Sequence, residues 1–319
     1  MKLSMINVPD AEDYLRALKQ VGVDVIVHYQ AEPYADRLDD LRPIRERYAR
    51  LGLAWKVAEA GPAIDRIVLG KDGAAEQTER YKRTIANLGA LGVEVIAYNF
   101  MPQVDGDAMV VRTSYRATTR GGAVTSRFRA ADARHDTVRH AEKPIARERM
   151  WENLERFLRA VLPAAEDVGV RLAIHPDDPP LSPLCSLERI MDREESFDRL
   201  LAFSRSPANA LTFCVGCFAE MGADVPRLIE RYGARIANVH LRNIAGTPDD
   251  FVETFPDDGA VDLVAVLRKL QAIGFDGYLR SDHAPRLATD PVPSLEGYGV
   301  QGHLYAIGFL RGVLRAIGA

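Results

Sequence analysis

Eight short runs rich in Val and Ile, spaced by amphipathic segments that end at glycine, predict an α/β fold, a single (β/α)8 TIM barrel. Three observations carry that prediction. The runs are too short for helices and apolar throughout, as strands buried on both faces of a parallel sheet must be. The order helix, Gly, apolar run recurs along the chain, which is the pattern of βα units. No G-x-G-x-x-G or G-x-x-x-x-G-K-[ST] stands directly after any run, where the phosphate loop of an open doubly wound sheet would lie. A length of 319 residues fits two average domains, yet such a barrel takes roughly 250 residues or more as one unit. One domain over residues 1–319 is expected.

The expected strands are residues 2–6, 23–27, 54–57, 93–98, 170–174, 211–214, 236–240 and 277–280. Between them, AEDYLRALKQVGV puts Leu15, Leu18 and Val21 on one helix face before Gly22 stops it. TERYKRTIANLGALGV repeats the design with Ile85, Leu88 and Leu91, and WENLERFLRAVLPAAEDVGV and VDLVAVLRKLQAIGF follow it. One segment breaks the rhythm. Residues 101–149, after the fourth strand, form a long polar insertion, and residues 112–149 hold nine Arg and one Lys against four acids. A loop this long in a compact domain is usually functional or disordered. It leaves the sheet at the C-terminal barrel face, so its arginines either form a solvated or subunit-contact surface or a lid over an anionic ligand.

Composition narrows the class. With 47% hydrophobic and 27% charged residues the chain is globular, and no apolar run of about 18 residues could span a membrane. The start, MKLSMINVPDAED, has acids where a secretory signal needs an apolar stretch. Cys185, Cys214 and Cys217 are too few and odd in number for a disulfide framework, so a reducing cytoplasm is expected. A net charge of −4 argues against nucleic-acid binding.

The chemistry gathers at the last four strand ends. His175 follows RLAI, Cys214 closes ALTF, His240 closes IANV, and Asp282 follows GYLRS, each about one βα unit from the next. Residues at consecutive strand ends converge on one side of a barrel mouth, and imidazole, thiolate and carboxylate all bind divalent transition metals. Cys214 and Cys217 also spell C-x-x-C, but a thioredoxin-like motif belongs to an early βα unit, and a zinc site needs a second pair. Cys217 is therefore left out of the site and Cys185 is read as structural. His283, beside Asp282, and Tyr298, in the Gly-flanked EGYGV, are candidate general acid and base. Arg242 and Asn243, just past His240, are placed to bind substrate oxygens.

The strings AYNFMPQVD (97–105), IHPDDPP (174–180), LTFCVG (211–216), VHLRNI (239–244) and GFDGYLRSDH (274–283) together resemble the mannonate dehydratase family. FVETF, GAVDL and EGYG match more loosely, and the resemblance runs from about residue 20 to the end of the chain. It implies a xylose-isomerase-like barrel and a divalent cation, Mn²⁺ in that family, with Fe²⁺, Co²⁺ and Zn²⁺ also compatible with a thiolate-containing shell. It implies elimination of water from D-mannonate to give 2-keto-3-deoxy-D-gluconate. The family's metal ligands fall on His175, Cys214, His240 and Asp282, and its acid/base positions on His283 and Tyr298. Arg112 survives in DGDAMVVRTS, where the family carries an Asp-Trp-x-Arg-Thr run, and Arg112 or Arg242 is expected to hold the substrate carboxylate. Ser281 and Ala284 replace the Pro and Gly that usually flank the Asp-His pair. Partners are then a small sugar acid and, as in many such barrels, a second copy of the chain. The competing activities are a metal-dependent sugar isomerase or epimerase on the same barrel, a dehydratase of another aldonate, a metal phosphodiesterase, and a binding protein that has lost its chemistry.

Overall fold

A computed structural model describes residues 1–29, 37–102, 112–133, 145–185, 187–291, 293 and 295–319. Among the described residues the chain forms β1 (Lys2–Ile6), β2 (Val25–Tyr29), β3 (Ala54–Glu59), β4 (Val95–Tyr98), β5 (Ser114–Thr118) and β6 (Val124–Arg129). Then come β7 (Arg171–Ile174), β8 (Asn209–Cys214), β9 (Ile236–His240), β10 (Asn243–Thr247), β11 (Asp250–Thr254) and β12 (Tyr278–Arg280). Strands β1, β2, β3, β4, β7, β8, β9 and β12 close into a parallel barrel, each pairing with the next and β12 with β1. All eight expected strands are present, with ends displaced by a few residues at most.

Helices cover the barrel because each has one apolar face. In Glu12–Gln20, Tyr14, Leu15 and Leu18 are buried, and in Arg147–Asp167 Trp151, Leu154, Phe157, Leu158, Val161 and Leu162 are. The glycines that end these repeats, Gly22, Gly92, Gly169 and Gly274, have φ of +92°, +81°, +68° and +69°, a region other residues enter only with strain. Asp262 caps the helix Leu263–Ala272 by accepting from the amides of Val264 and Ala265. No helix among the described residues is long and apolar enough to cross a membrane.

The barrel interior is filled by Val25, Val27, Val57, Val95, Ala173, Ala210, Ala237 and Tyr278. Because alternate residues share a face, two steps further along several strands the same inward direction carries polar groups. Val57 leads to Glu59, Ala173 to His175, Thr212 to Cys214, and Arg280 to Asp282. The apolar plug lies below and the chemistry at the C-terminal mouth, as in other barrels of this type.

Within the expected insertion, residues 103–111 and 134–144 lie outside the described residues. Its described part contains β5 and β6, an antiparallel pair. These join β10 and β11, which follow β9, in a second, four-stranded sheet of order β10-β11-β6-β5. Phe128 and Phe251, opposite each other on β6 and β11, stack with ring centroids 5.7 Å apart. The helix Arg147–Asp167 already includes the last residues of the expected insertion.

Candidate active site

The barrel register brings the four predicted ligands together. Cys214 pairs with His240 across β8 and β9, and His240 with Arg280 across β9 and β12. His175 is fixed just past β7 by its amide, which donates to the Tyr98 carbonyl at 2.8 Å. One donor atom from each of His175, Cys214, His240 and Asp282 lies within 4.8 Å of the others. His175 Nε2 is 3.2 Å from His240 Nδ1, and His240 Nδ1 is 3.8 Å from Asp282 Oδ2. Cys214, His240 and Asp282 are buried, whereas His175 is partly open to solvent.

The hydrogen bonds around this group define its character. His175 Nδ1 lies 2.7 Å from the Pro176 carbonyl, which can only accept, so Nδ1 carries a proton and Nε2 is the nitrogen that faces the cluster. His240 Nε2 accepts from Arg280 Nε at 3.0 Å, which leaves the His240 proton on Nδ1, between the two imidazoles. Burial disfavours the Cys214 thiolate, but the Cys217 thiol, Arg242 and the two imidazoles outweigh it and hold the thiol well below its ordinary value. Burial likewise opposes a charged His175, yet Cys214 and Asp282 push it up to about 9. A thiolate and a carboxylate are thus balanced by a proton on His175, and with that proton gone the N₂SO donor set fits a divalent transition metal. A second observation agrees. Coordination through His240 Nδ1 requires the proton on Nε2, so the Arg280 donor must turn away, and two buried acceptors without a hydrogen-bond partner among the described residues stand nearby. They are Glu59 Oε2, 3.6 Å away, and the oxygen of Asn238, whose amide lies 3.1 Å from Nε2.

A second buried group adjoins the first. Arg242 donates to Glu220 at 2.5 Å, Asp178 at 3.0 Å and Asp282 at 3.1 Å, and lies 3.2 Å from Cys217 Sγ. Gly216 makes room for it: a Cβ there would come within 2.6 Å of the Arg242 side chain. Arg112 donates to Asp178 and to Glu253, both at 2.5 Å. Asp178, Cys217 and Glu220 also come within 4.8 Å of one another, but their cation is the Arg242 guanidinium. Both expected carboxylate holders are therefore ion-paired inside the chain, and meeting a substrate carboxylate would require those pairs to open. Asn243 likewise meets the backbone. Its amide nitrogen donates to the Pro256 and Val261 carbonyls, and its oxygen accepts from the Ile244 and Val261 amides, which pins the loop after β11.

His283 and Tyr298 stand side by side. Their rings meet edge to face with centroids 5.2 Å apart, and the Ala284–Tyr298 bridge, with Ala284 N to Gly297 O at 2.9 Å, ties their loops together. Burial holds the Tyr298 phenol well above its ordinary value. Burial lowers His283, but Glu253 and Asp282 outweigh it and raise it.

Sequence reasoning missed Glu59, Arg280, Asp178 and Glu253. Glu59 ends β3, so the strand-end criterion used for the last four strands would have found it there. Arg280 bridges Glu59 at 2.8 Å and Asp282 at 3.0 Å. Glu253 had no such signal, since it lies on the second sheet.

Comparison with known proteins identifies the family of the chain. The family model D-mannonate dehydratase (UxuA) matches residues 10–140 and 130–319. A mannonate dehydratase of Shouchella clausii is 32% identical over 94% of this chain and 92% of its own length. The crystal structure of mannonate dehydratase from Streptococcus suis serotype 2 superposes with a TM-score of 0.88 at 30% identity, covering 100% of this chain and 95% of that one. A xylose isomerase domain protein from Planctomyces limnophilus shares only the fold, with a TM-score of 0.63 at 13% identity over 100% of this chain and 97% of that one. With the model spanning nearly the whole sequence and relatives at this level matching it end to end, the chain belongs to the D-mannonate dehydratase (UxuA) family.

Proposed function

We propose that this chain is a hydro-lyase that converts D-mannonate to 2-keto-3-deoxy-D-gluconate. The observation that carries this reading is the four-residue cluster at the mouth of a barrel that carries the family's match, with two proton-transfer side chains beside it. The cation would be held by His175 Nε2, Cys214 Sγ, His240 Nδ1 and an Asp282 oxygen. Bound there, a divalent ion, Mn²⁺ by resemblance to the family, supplies the charge stabilisation that makes the hydrogen beside a carboxylate removable.

The chain's own residues do the rest. His283 and Tyr298 share the two proton transfers: one takes the C2 proton, the other protonates the departing C3 hydroxyl. Arg280 and Arg242 each donate to one Asp282 oxygen and keep that carboxylate ionised and fixed. Burial of the cluster keeps bulk water from competing for its lone pairs. Substrate is a small sugar acid reaching the partly open His175 edge of the cluster.

The test is removal of metal with a chelator, then return of Mn²⁺, Co²⁺, Fe²⁺ or Zn²⁺ and assay of hexonates and pentonates for 2-keto-3-deoxy products. D-Mannonate turnover should vanish and return, and Cys214→Ala should lose bound metal and about 10³-fold or more in rate, the scale of several kcal/mol. Turnover of a neutral sugar with no aldonate turned over would make the enzyme an isomerase. Cys214→Ala with metal and rate intact would remove the site.

A further inference from the structure

The second sheet ends on one side chain that reaches the proton-transfer pair. Glu253, on β11, places Oε1 2.6 Å from His283 Nδ1, and its side chain is 3% exposed. Both of its oxygens have further partners. Arg112 donates to Oε1 at 2.5 Å, Arg242 Nη1 lies 3.3 Å from the same oxygen, and the Ser126 hydroxyl donates to Oε2. Ser126 belongs to β6, and the β6–β11 register, with Arg127 opposite Val252, puts it beside Glu253. Arg112 is itself held by Ser126 Oγ at 3.2 Å and lies over the Phe251 ring at 5.1 Å.

We infer that Glu253 is the positioning residue for His283, and that the second sheet exists in the site to aim that imidazole. The inference rests on the proton-transfer role given to His283 above. A carboxylate among two guanidinium groups and a hydroxyl donor stays ionised and only accepts. Its 2.6 Å partner, His283 Nδ1, is therefore the protonated nitrogen, and Nε2 is the atom left for exchange with substrate. Asp282 precedes His283 directly and is fixed by the barrel arginines, so the imidazole is anchored from the barrel through its backbone and from the second sheet through its ring. The insertion is on this reading a support for the reacting group as well as surface. Removing the carboxylate frees the ring to rotate or to change tautomer, and loss of a correctly presented acid or base is worth about 10² to 10⁴ in rate.

The experiment uses the full metal-loaded chain. In Glu253→Gln, which keeps side-chain size, kcat should fall about 10²- to 10⁴-fold while KM and bound metal stay within about threefold. His283→Gln should cost no less, and the double variant no more than the worse single one, because the two residues act as a unit. Nitrogen NMR of histidine-labelled wild-type protein should show His283 protonated at Nδ1, with a far-downfield proton that moves upfield in Glu253→Gln. The wild-type tautomer needs neither turnover nor a folded variant, so it stands or falls apart from the identity of the substrate. A wild-type His283 protonated at Nε2 alone overturns the inference. So does Glu253→Gln with unchanged kcat beside an inactive His283→Gln, or a rate loss matched by metal loss.

Discussion

The barrel mouth and the group beneath the second sheet are both buried, polar and rich in charge, yet they are balanced in opposite ways. At the mouth, Cys214 and Asp282 are negative, two imidazoles point lone pairs or a lone proton inward, and Glu59 and Asn238 hold acceptors without partners. Within this cluster the counter-charge is a proton on His175, which can leave and make room for a cation. Next to it, Arg112 and Arg242 meet Asp178, Glu220 and Glu253. Burial pushes the Glu220 carboxyl up against the pull of Arg242, while Asp178 and Glu253 are held low beside the two guanidinium groups. That group is complete without a guest. A site that binds and a site that supports are thus distinguished by whether the counter-charge is a proton that can leave or a guanidinium that cannot.

The sharpest way to break this contrast is to remove one arginine. Arg112→Met leaves Asp178 and Glu253 short of a partner in a buried setting, and unpairing a buried ion typically costs about 3–5 kcal/mol. Denaturant unfolding should show that loss while bound metal is unchanged, since no metal-binding group touches Arg112 directly. A loss below about 1 kcal/mol would mean the second group is not balanced by Arg112, and a parallel loss of metal would mean the two groups are one.

Much of this division was readable before the structure. Strand-end positions identified the four convergent ligands because a parallel barrel turns sequence periodicity into proximity: each strand contributes its last inward residue. Glu59 escapes the rule because the third apolar run reads as ending at Val57, two residues short of the strand's end. Glu253 stands in the loosely matching FVETF string, but what it meets is illegible for a different reason. Ser126 and Glu253 meet in an antiparallel sheet built from two distant hairpins, and no spacing in the chain announces that β6 will pair with β11. The local excess of Arg in residues 112–149 was misleading for the same reason. Arg112, Arg120 and Arg127 pair with Glu253, Asp257 and Asp250, all on the other hairpin or the loop beyond it. A charge count over one segment cannot see counter-charges that arrive by tertiary pairing.

A smaller effect sharpens the mouth itself. If Glu59 receives the Nε2 proton of His240 when a cation sits on Nδ1, Glu59→Gln should weaken metal binding about 10- to 100-fold, the usual scale for a partner of a metal-bound histidine. Competition with a chromophoric chelator measures it, with Glu253→Gln as the contrasting variant, whose affinity should not move. Equal affinities for Glu59→Gln and wild type would give the Nε2 proton to Asn238 instead.

The smallest expected effect concerns pH and sits where the two regions meet. His303, on the helix Val300–Ile317, is fully buried beneath the site. Its Nδ1 is 3.2 Å from Ser281 Oγ, its ring centroid is 5.5 Å from that of Tyr298, and its Nε2 has no partner. Burial, then Arg280, push it down to about 3, with Asp282 pulling the other way and His283 adding a smaller push down. In the unfolded chain an ordinary histidine titrates near 6.5, so between about 6.5 and 3 the unfolded state binds a proton that the folded state refuses. The stability that depends on a neutral His303 is therefore complete above about pH 6.5 and is lost as pH falls, at up to about 1.4 kcal/mol per pH unit. Glu253 is held far below the carboxylate range by Arg112 and His283 against its burial, so the second group keeps its charge through this window. The difference in unfolding free energy between wild type and His303→Gln should then shrink steadily from pH 6.5 to pH 4.5. Parallel curves for the two proteins would place the acid sensitivity of this fold in its carboxylates rather than beneath its active site.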